Sequence, residues 1–209
     1  MEYIISMFQK GGILMYPLLF LGILSVALII ERLYSLSLKK IIPLDVFEEI
    51  ISFLEEGKVE EARTIAKTYK SVATDIIYSI LEAYLKGRKN IEELKIVAEE
   101  SAKVEIPKLE GYVNAVGAIA AISPLVGFLG TVTGMIQVFE ALSVSGLSNP
   151  EILSAGISQA LITTAFGLTI AIPSLVAYWY FRSKVNFLIT QLENVALEVI
   201  YKLTSNEEK

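Results

Sequence analysis

The chain has neither cysteine nor histidine. Without cysteine there is no disulfide framework. Without either residue a zinc site would rest on carboxylates alone, a poor ligand set for that ion. Ser–His and Cys–His nucleophilic catalysis are excluded, as is an imidazole proton relay. The sequence therefore reads as a non-enzyme, with no metal and no cofactor expected. It also lacks an Arg/Lys-rich stripe with interleaved aromatics, so nucleic-acid binding is not expected. The net charge of −5 comes from a mixed Glu/Lys segment in the middle of the chain.

Charge is missing in three long blocks. Gly11–Ile30 holds no Asp, Glu, Lys or Arg, and neither do Tyr112–Phe139 and Ile152–Phe181. As helices these runs measure roughly 30, 42 and 45 Å, against about 30 Å for a bilayer core. The excess length of the second and third predicts helices that tilt or project beyond the bilayer. Of the 209 residues 54% are hydrophobic, and their concentration in these blocks makes the chain an all-α integral membrane protein. Met1–Lys10 is too weakly basic for a signal peptide, and no Ala-x-Ala cleavage site follows the first run, so that run reads as a retained anchor. Tyr3, Ile4, Met7 and Phe8 suit an interfacial segment ahead of it.

Basic residues set the expected orientation. Thirteen Lys and Arg lie between Arg32 and Lys108, and four more follow the third span. The loop between spans two and three has none, and the N-terminus has only Lys10. Arg32, Lys39, Lys40, Arg182 and Lys184 flank the spans and count fully. The expected layout is a periplasmic N-terminus over 1–10, span one over 11–32 and a small helical cytoplasmic domain over 33–111. Span two follows over 112–141, a periplasmic loop over 142–151, span three over 152–181 and a cytoplasmic C-terminal helix over 182–209.

The cytoplasmic segment shows three amphipathic stripes at helical spacing. Val46, Phe47, Ile50, Ile51 and Leu54 form the first, with Gly57 as a C-cap. Val59, Ala62, Ile65, Ala66 and Tyr69 form the second, and Val72, Ile76, Ile77, Ile80, Leu81 and Tyr84 the third, closed by Gly87. Asn90 with Glu93 reads as an N-cap with a capping-box partner, opening a helix that continues into span two. Its Glu and Lys read as a solvated surface. Beyond span three, Val185, Leu188, Leu192, Val195, Val199 and Leu203 repeat at spacings that predict contact between subunits.

Spans two and three differ from the plain aliphatic span one. Span two carries Ser123, Pro124, Gly127, Gly130, Thr131, Thr133 and Gly134, and span three Gly156, Gln159, Ala160, Thr163, Thr164, Gly167, Thr169, Ala171, Pro173 and Ser174. Small residues let membrane helices approach closely, and hydroxyls bond across the contact. Gly127, Gly130, Gly134, Gly156 and Gly167 read as packing positions, and Pro124 and Pro173 as helix-shaping ones. For Thr131, Gln159, Thr163 and Thr164 two readings stand: packing glue, or the lining of a polar cavity. A proton path here would be short of a titratable group, so something else would have to supply the acid.

The run Ser123–Met135 (SPLVGFLGTVTGM) resembles the second span of the ExbB/TolQ family, and Gly156–Pro173 (GISQALITTAFGLTIAIP) resembles its third. Pro17 and Ile30-Glu31-Arg32-Leu33 fit the first. The resemblance covers nearly the whole chain. It implies a proton-driven motor subunit of the bacterial inner membrane, built as a homopentamer. Its pore would enclose the single spans of two ExbD/TolR-type subunits, each bringing the aspartate that takes up and releases the proton. A TonB- or TolA-type protein would carry the work towards the outer membrane. Thr131 and Thr164 match the family's pore-lining threonines. The resemblance departs at Gln159, where well-known members carry Glu, and glutamine cannot titrate. The alternatives are a gliding or flagellar-type stator subunit and a passive membrane scaffold. The flagellar subunits have four spans, against the three here.

Overall fold

A computed structural model describes residues 7, 8, 10–145 and 150–205. The interfacial segment expected before span one and the centre of the loop after span two fall largely outside these residues. Among the described residues every regular element is helical: α1 (Met15–Ser35), α2 (Leu38–Ile41), α3 (Leu44–Glu55), α4 (Val59–Thr68), α5 (Val72–Leu85), α6 (Ile91–Ser145) and α7 (Pro150–Ser205). Three of them are long and apolar enough to cross a membrane: α1, α6 and α7. At 1.5 Å per residue, the 55 residues of α6 and 56 of α7 run to about 80 Å each, well over twice a hydrocarbon core. Both helices therefore continue far beyond the spans they contain.

The chain forms two compact units, and both long helices pass from one to the other. The first holds residues 1–31 and 113–180, the second 32–112 and 181–209. In the first unit Met15, Leu18, Val116, Ile119, Val138 and Ala171 are buried. Leu19, Phe20, Ile23, Leu125, Phe128, Leu161, Ile172 and Trp179 face outward. Apolar residues turned outward at this density suit lipid or neighbouring chains, since water would not tolerate them.

The second unit has an ordinary water-soluble core. Ile50, Leu54, Ile77, Ile80, Leu81 and Leu94 are fully buried, as is Phe181. Each such side chain contributes about 1.5–3 kcal/mol of transfer free energy. Val185, Leu188, Leu192, Val199 and Leu203 join this core. The stripe expected to meet another subunit is thus covered within its own chain, because α3 to α6 supply enough apolar surface to bury it. The Lys202 ammonium pairs with the Glu55 carboxylate, tying α7 to α3.

Local signals explain the short helices. Gly57 (φ 75°) and Gly87 (φ 94°) take the left-handed conformation just past α3 and α5. Gly57 N donates to Leu54 O at 3.0 Å and Lys58 N to Phe53 O at 2.9 Å. Gly87 N and Arg88 N repeat the pattern on Tyr84 O and Ala83 O. Both are Schellman closures, which only glycine adopts without strain. Asn90 does cap α6, but its Oδ1 accepts from Glu92 N at 2.9 Å, so the second helical position takes the bond and Glu93 is not needed. The reciprocal box lies elsewhere. Ser71 Oγ accepts from Thr74 N and Thr74 Oγ1 from Ser71 N, at 3.2 and 2.9 Å. A threonine stands there where the usual signature has Glu or Gln.

Candidate functional site

The first unit brings together most of the singled-out polar and small residues of spans two and three. Glycine on both helices makes the approach possible. A Cβ at Gly167 would lie 2.6 Å from Ser123 O, and one at Gly127 would lie 3.1 Å from both Thr163 O and Thr164 Cα. At Gly134 it would lie 3.0 Å from Ala160 Cβ and from Gly156 O. At Gly156 it would collide with Val138, and at Gly130 with the Thr163 methyl. The five positions read as packing sites form one seam, along which α6 and α7 touch backbone to backbone.

Hydroxyls bond across this seam. Thr131 Oγ1 on α6 donates to Ala160 O on α7 at 3.2 Å. Thr164 Oγ1 on α7 donates to Gly127 O on α6 at 3.0 Å. The two hydroxyls also bond to each other. A threonine hydroxyl has one proton, so three contacts share two protons. Whenever one threonine donates to the other, one carbonyl gives up its side-chain partner. That carbonyl keeps the acceptor role it has in its own helix, so the switch between donors costs little. Both threonines are half-buried.

Thr163 and Gln159 serve a different contact. The Thr163 side chain is fully buried. Its Oγ1 lies 3.0 Å from Gly11 O, ahead of α1, and 2.8 Å from Gln159 O within α7. Gly12 has φ 73°, and a Cβ there would collide with the Gln159 amide nitrogen. On α7, Thr164 thus faces α6 and Gln159 faces the start of span one, while Thr163 stands between them, its methyl towards Gly130 of α6 and its hydroxyl towards Gly11 O. Spacing in the sequence joined these four residues without separating the two faces.

Further buried hydroxyls seat span one. Ser25 Oγ and Ser174 Oγ lie 2.6 Å apart, and both residues are buried. Ser174 Oγ also donates to Ile170 O at 2.6 Å, and Ser123 Oγ to Ile119 O at 2.7 Å. Ser123 precedes Pro124 and Ser174 follows Pro173, where each proline withholds a backbone donor from the helix ladder. The helix runs unbroken through both prolines. Ser174 belongs to the polar and small set of span three, whereas Ser25 carries no signal in the sequence, because an isolated serine in an apolar run has no spacing to recognise.

Residues 68–194 match the MotA/TolQ/ExbB proton channel family, a stretch that holds both glycine–threonine motifs. The chain belongs to that family. It is 29% identical over 198 residues to the ExbB-like 3 biopolymer transport protein of Synechocystis sp., covering 93% of each chain. It is 35% identical to the ExbB-like 1 protein of the same organism, over 93% of this chain and 78% of that one. The Tol-Pal system protein TolQ of Haemophilus influenzae is 36% identical over 105 residues, half of this chain and 43% of that one. With its three apolar helices, this family member is a multi-pass inner-membrane protein of ExbB/TolQ type, coupled to the proton motive force.

Proposed function

We propose that this chain is the ring subunit of a proton-driven motor, and that Thr131 and Thr164 receive an acid carried on the single span of an ExbD/TolR-type partner. Two partner copies would sit inside a homopentamer, and a TonB- or TolA-type protein would transmit the work to the outer membrane. The observation that carries this reading is the shared hydroxyl pair. It lies across the α6–α7 seam and has one proton too few for its contacts. A charged carboxylate would draw both threonine protons. A neutral carboxylic acid would instead donate, and return them to each other and to Gly127 O and Ala160 O. The pair can therefore hold the partner in either protonation state. Each proton crossing about 100 mV releases roughly 2.3 kcal/mol, enough to drive a step between such states.

The test is proton uptake by proteoliposomes holding the chain and its single-span partner, read with an enclosed pH dye. The Thr131→Val/Thr164→Val variant should lose uptake by about tenfold or more, since one lost charge-assisted bond costs about 1.5–3 kcal/mol. Its binding of the partner should persist. Uptake at the wild-type rate would overturn the role given to the two threonines.

A further inference from the structure

Four basic side chains of the second unit sit beside acids on the same helix: Arg63 with Glu60, Lys86 with Glu82, Lys95 with Glu92 and Lys108 with Glu105. Lys39 and Lys40, the basic pair next after span one, do not. Both are exposed, and among the described residues neither has an ion pair or a side-chain hydrogen bond. They lie on α2, the single turn that follows α1. Buried Leu36, Ile41 and Ile42 hold that turn to the core of its unit, so the two ammonium groups are presented from a fixed base. Exposed Leu33, Tyr34, Leu38 and Leu44 flank them in the sequence. In a water-soluble protein this apolar frame would be out of place. At a membrane boundary it is the expected surface.

We propose that Lys39 and Lys40, framed by Tyr34, Leu38 and Leu44, dock the headgroup of an anionic phospholipid at the end of span one. Continuity with the span argues for a lipid over any other occupant. Lys39 is four residues from the last residue of α1, so its backbone lies within about 14 Å of the end of that helix. That places the lysines where an anionic leaflet attracts cations, and the apolar frame meets the first carbons of the acyl chains. The site is independent of the threonine pair and of any partner subunit. A purely topological role for these lysines would need no lasting affinity, and that difference can be measured.

The experiment is native mass spectrometry of the full-length protein in detergent, titrated with phosphatidylglycerol and with phosphatidylcholine of the same acyl chains. The wild type should bind phosphatidylglycerol more tightly. In Lys39→Gln/Lys40→Gln that affinity should fall by about thirtyfold, some fivefold per lysine, with phosphatidylcholine unaffected. Lys39→Arg/Lys40→Arg should retain the preference. In the wild type, raising salt from about 50 to 500 mM should weaken only the anionic lipid, which tests the proposal even if the glutamine variant misfolds. An unchanged preference in the folded glutamine variant would overturn it. So would equal loss of both lipids, or displacement of the lipid by inorganic phosphate, which would mark a free-anion site.

Discussion

Gly167 and Gly111 show how differently one residue type behaves along these helices. A Cβ at Gly167 meets the Ser123 carbonyl oxygen at 2.6 Å, and that atom belongs to a backbone locked in α6. The helices must separate to admit it, and the Thr131–Thr164 contact lies on the same seam. Gly167→Ala should lower stability by about 1–3 kcal/mol and reduce proton uptake together with it. A methyl group at Gly111 would meet nothing within 4 Å, so Gly111→Ala should stabilise α6 by up to about 1 kcal/mol. Apparent melting temperatures in detergent would check both, and a neutral Gly167→Ala would refute the close seam. Arg32 shows where residue-level reading stopped. Its place beside span one made it an orientation marker, yet it is only 4% exposed. Its guanidinium donates to Leu109 O at 3.2 Å and to Ser35 Oγ at 3.3 Å, and lies 4.7 Å over the Tyr112 ring. All but one of these partners are some eighty residues away, and no local pattern names them. Arg32→Lys keeps the charge but loses the planar fork. It should cost about 1–2 kcal/mol in the same assay, and wild-type stability would count against the clamp.

Among the elements, those ended by glycine were the most legible. Periodicity and Gly57 or Gly87 together define α3 and α5, because a left-handed residue after an apolar stripe has few other uses. The four-residue α2 was not legible, since one turn cannot show a period. The box at Ser71 and Thr74 escaped because Thr replaces the expected acid. One consequence at α5 depends on pH. Burial, and then the nearby Glu105 carboxylate, hold the Asp75 carboxyl above its usual range. A carboxyl raised on folding favours the native state below its unfolded value, and that benefit is lost as pH rises through the folded one. Asp75→Asn is neutral throughout, so it should be slightly more stable than wild type at pH 7, and the gap should close below about pH 4. Asp75 is exposed, and water screens most of the effect, so a shift of a degree or two is expected. A gap that widened on acidification would show the opposite sign.

For the whole molecule, three spans and their packing face were legible because charge exclusion and small-residue spacing act along one chain. What lies on the outward faces was not, because it depends on chains outside the sequence. In the most apolar windows of α1, α6 and α7 only 17%, 33% and 28% of residues are buried. Lipid can cover span one, whose outward face is aliphatic. The outward faces of the other two spans carry Leu125, Phe128, Leu161 and Ile172, beside seam hydroxyls already bonded within the chain. Repeating one heterologous contact until a ring closes would cover those faces while leaving an axial space for a partner helix. Native mass spectrometry of the purified chain should therefore give a closed oligomer, five by the ExbB/TolQ resemblance. Co-expression with a single-span protein bearing an intramembrane aspartate should add two copies. The Thr131→Val/Thr164→Val variant should keep the ring, since the glycine seam within each subunit is untouched. A monomer or dimer indifferent to the partner would leave the threonines as packing residues and remove the basis for a shared proton.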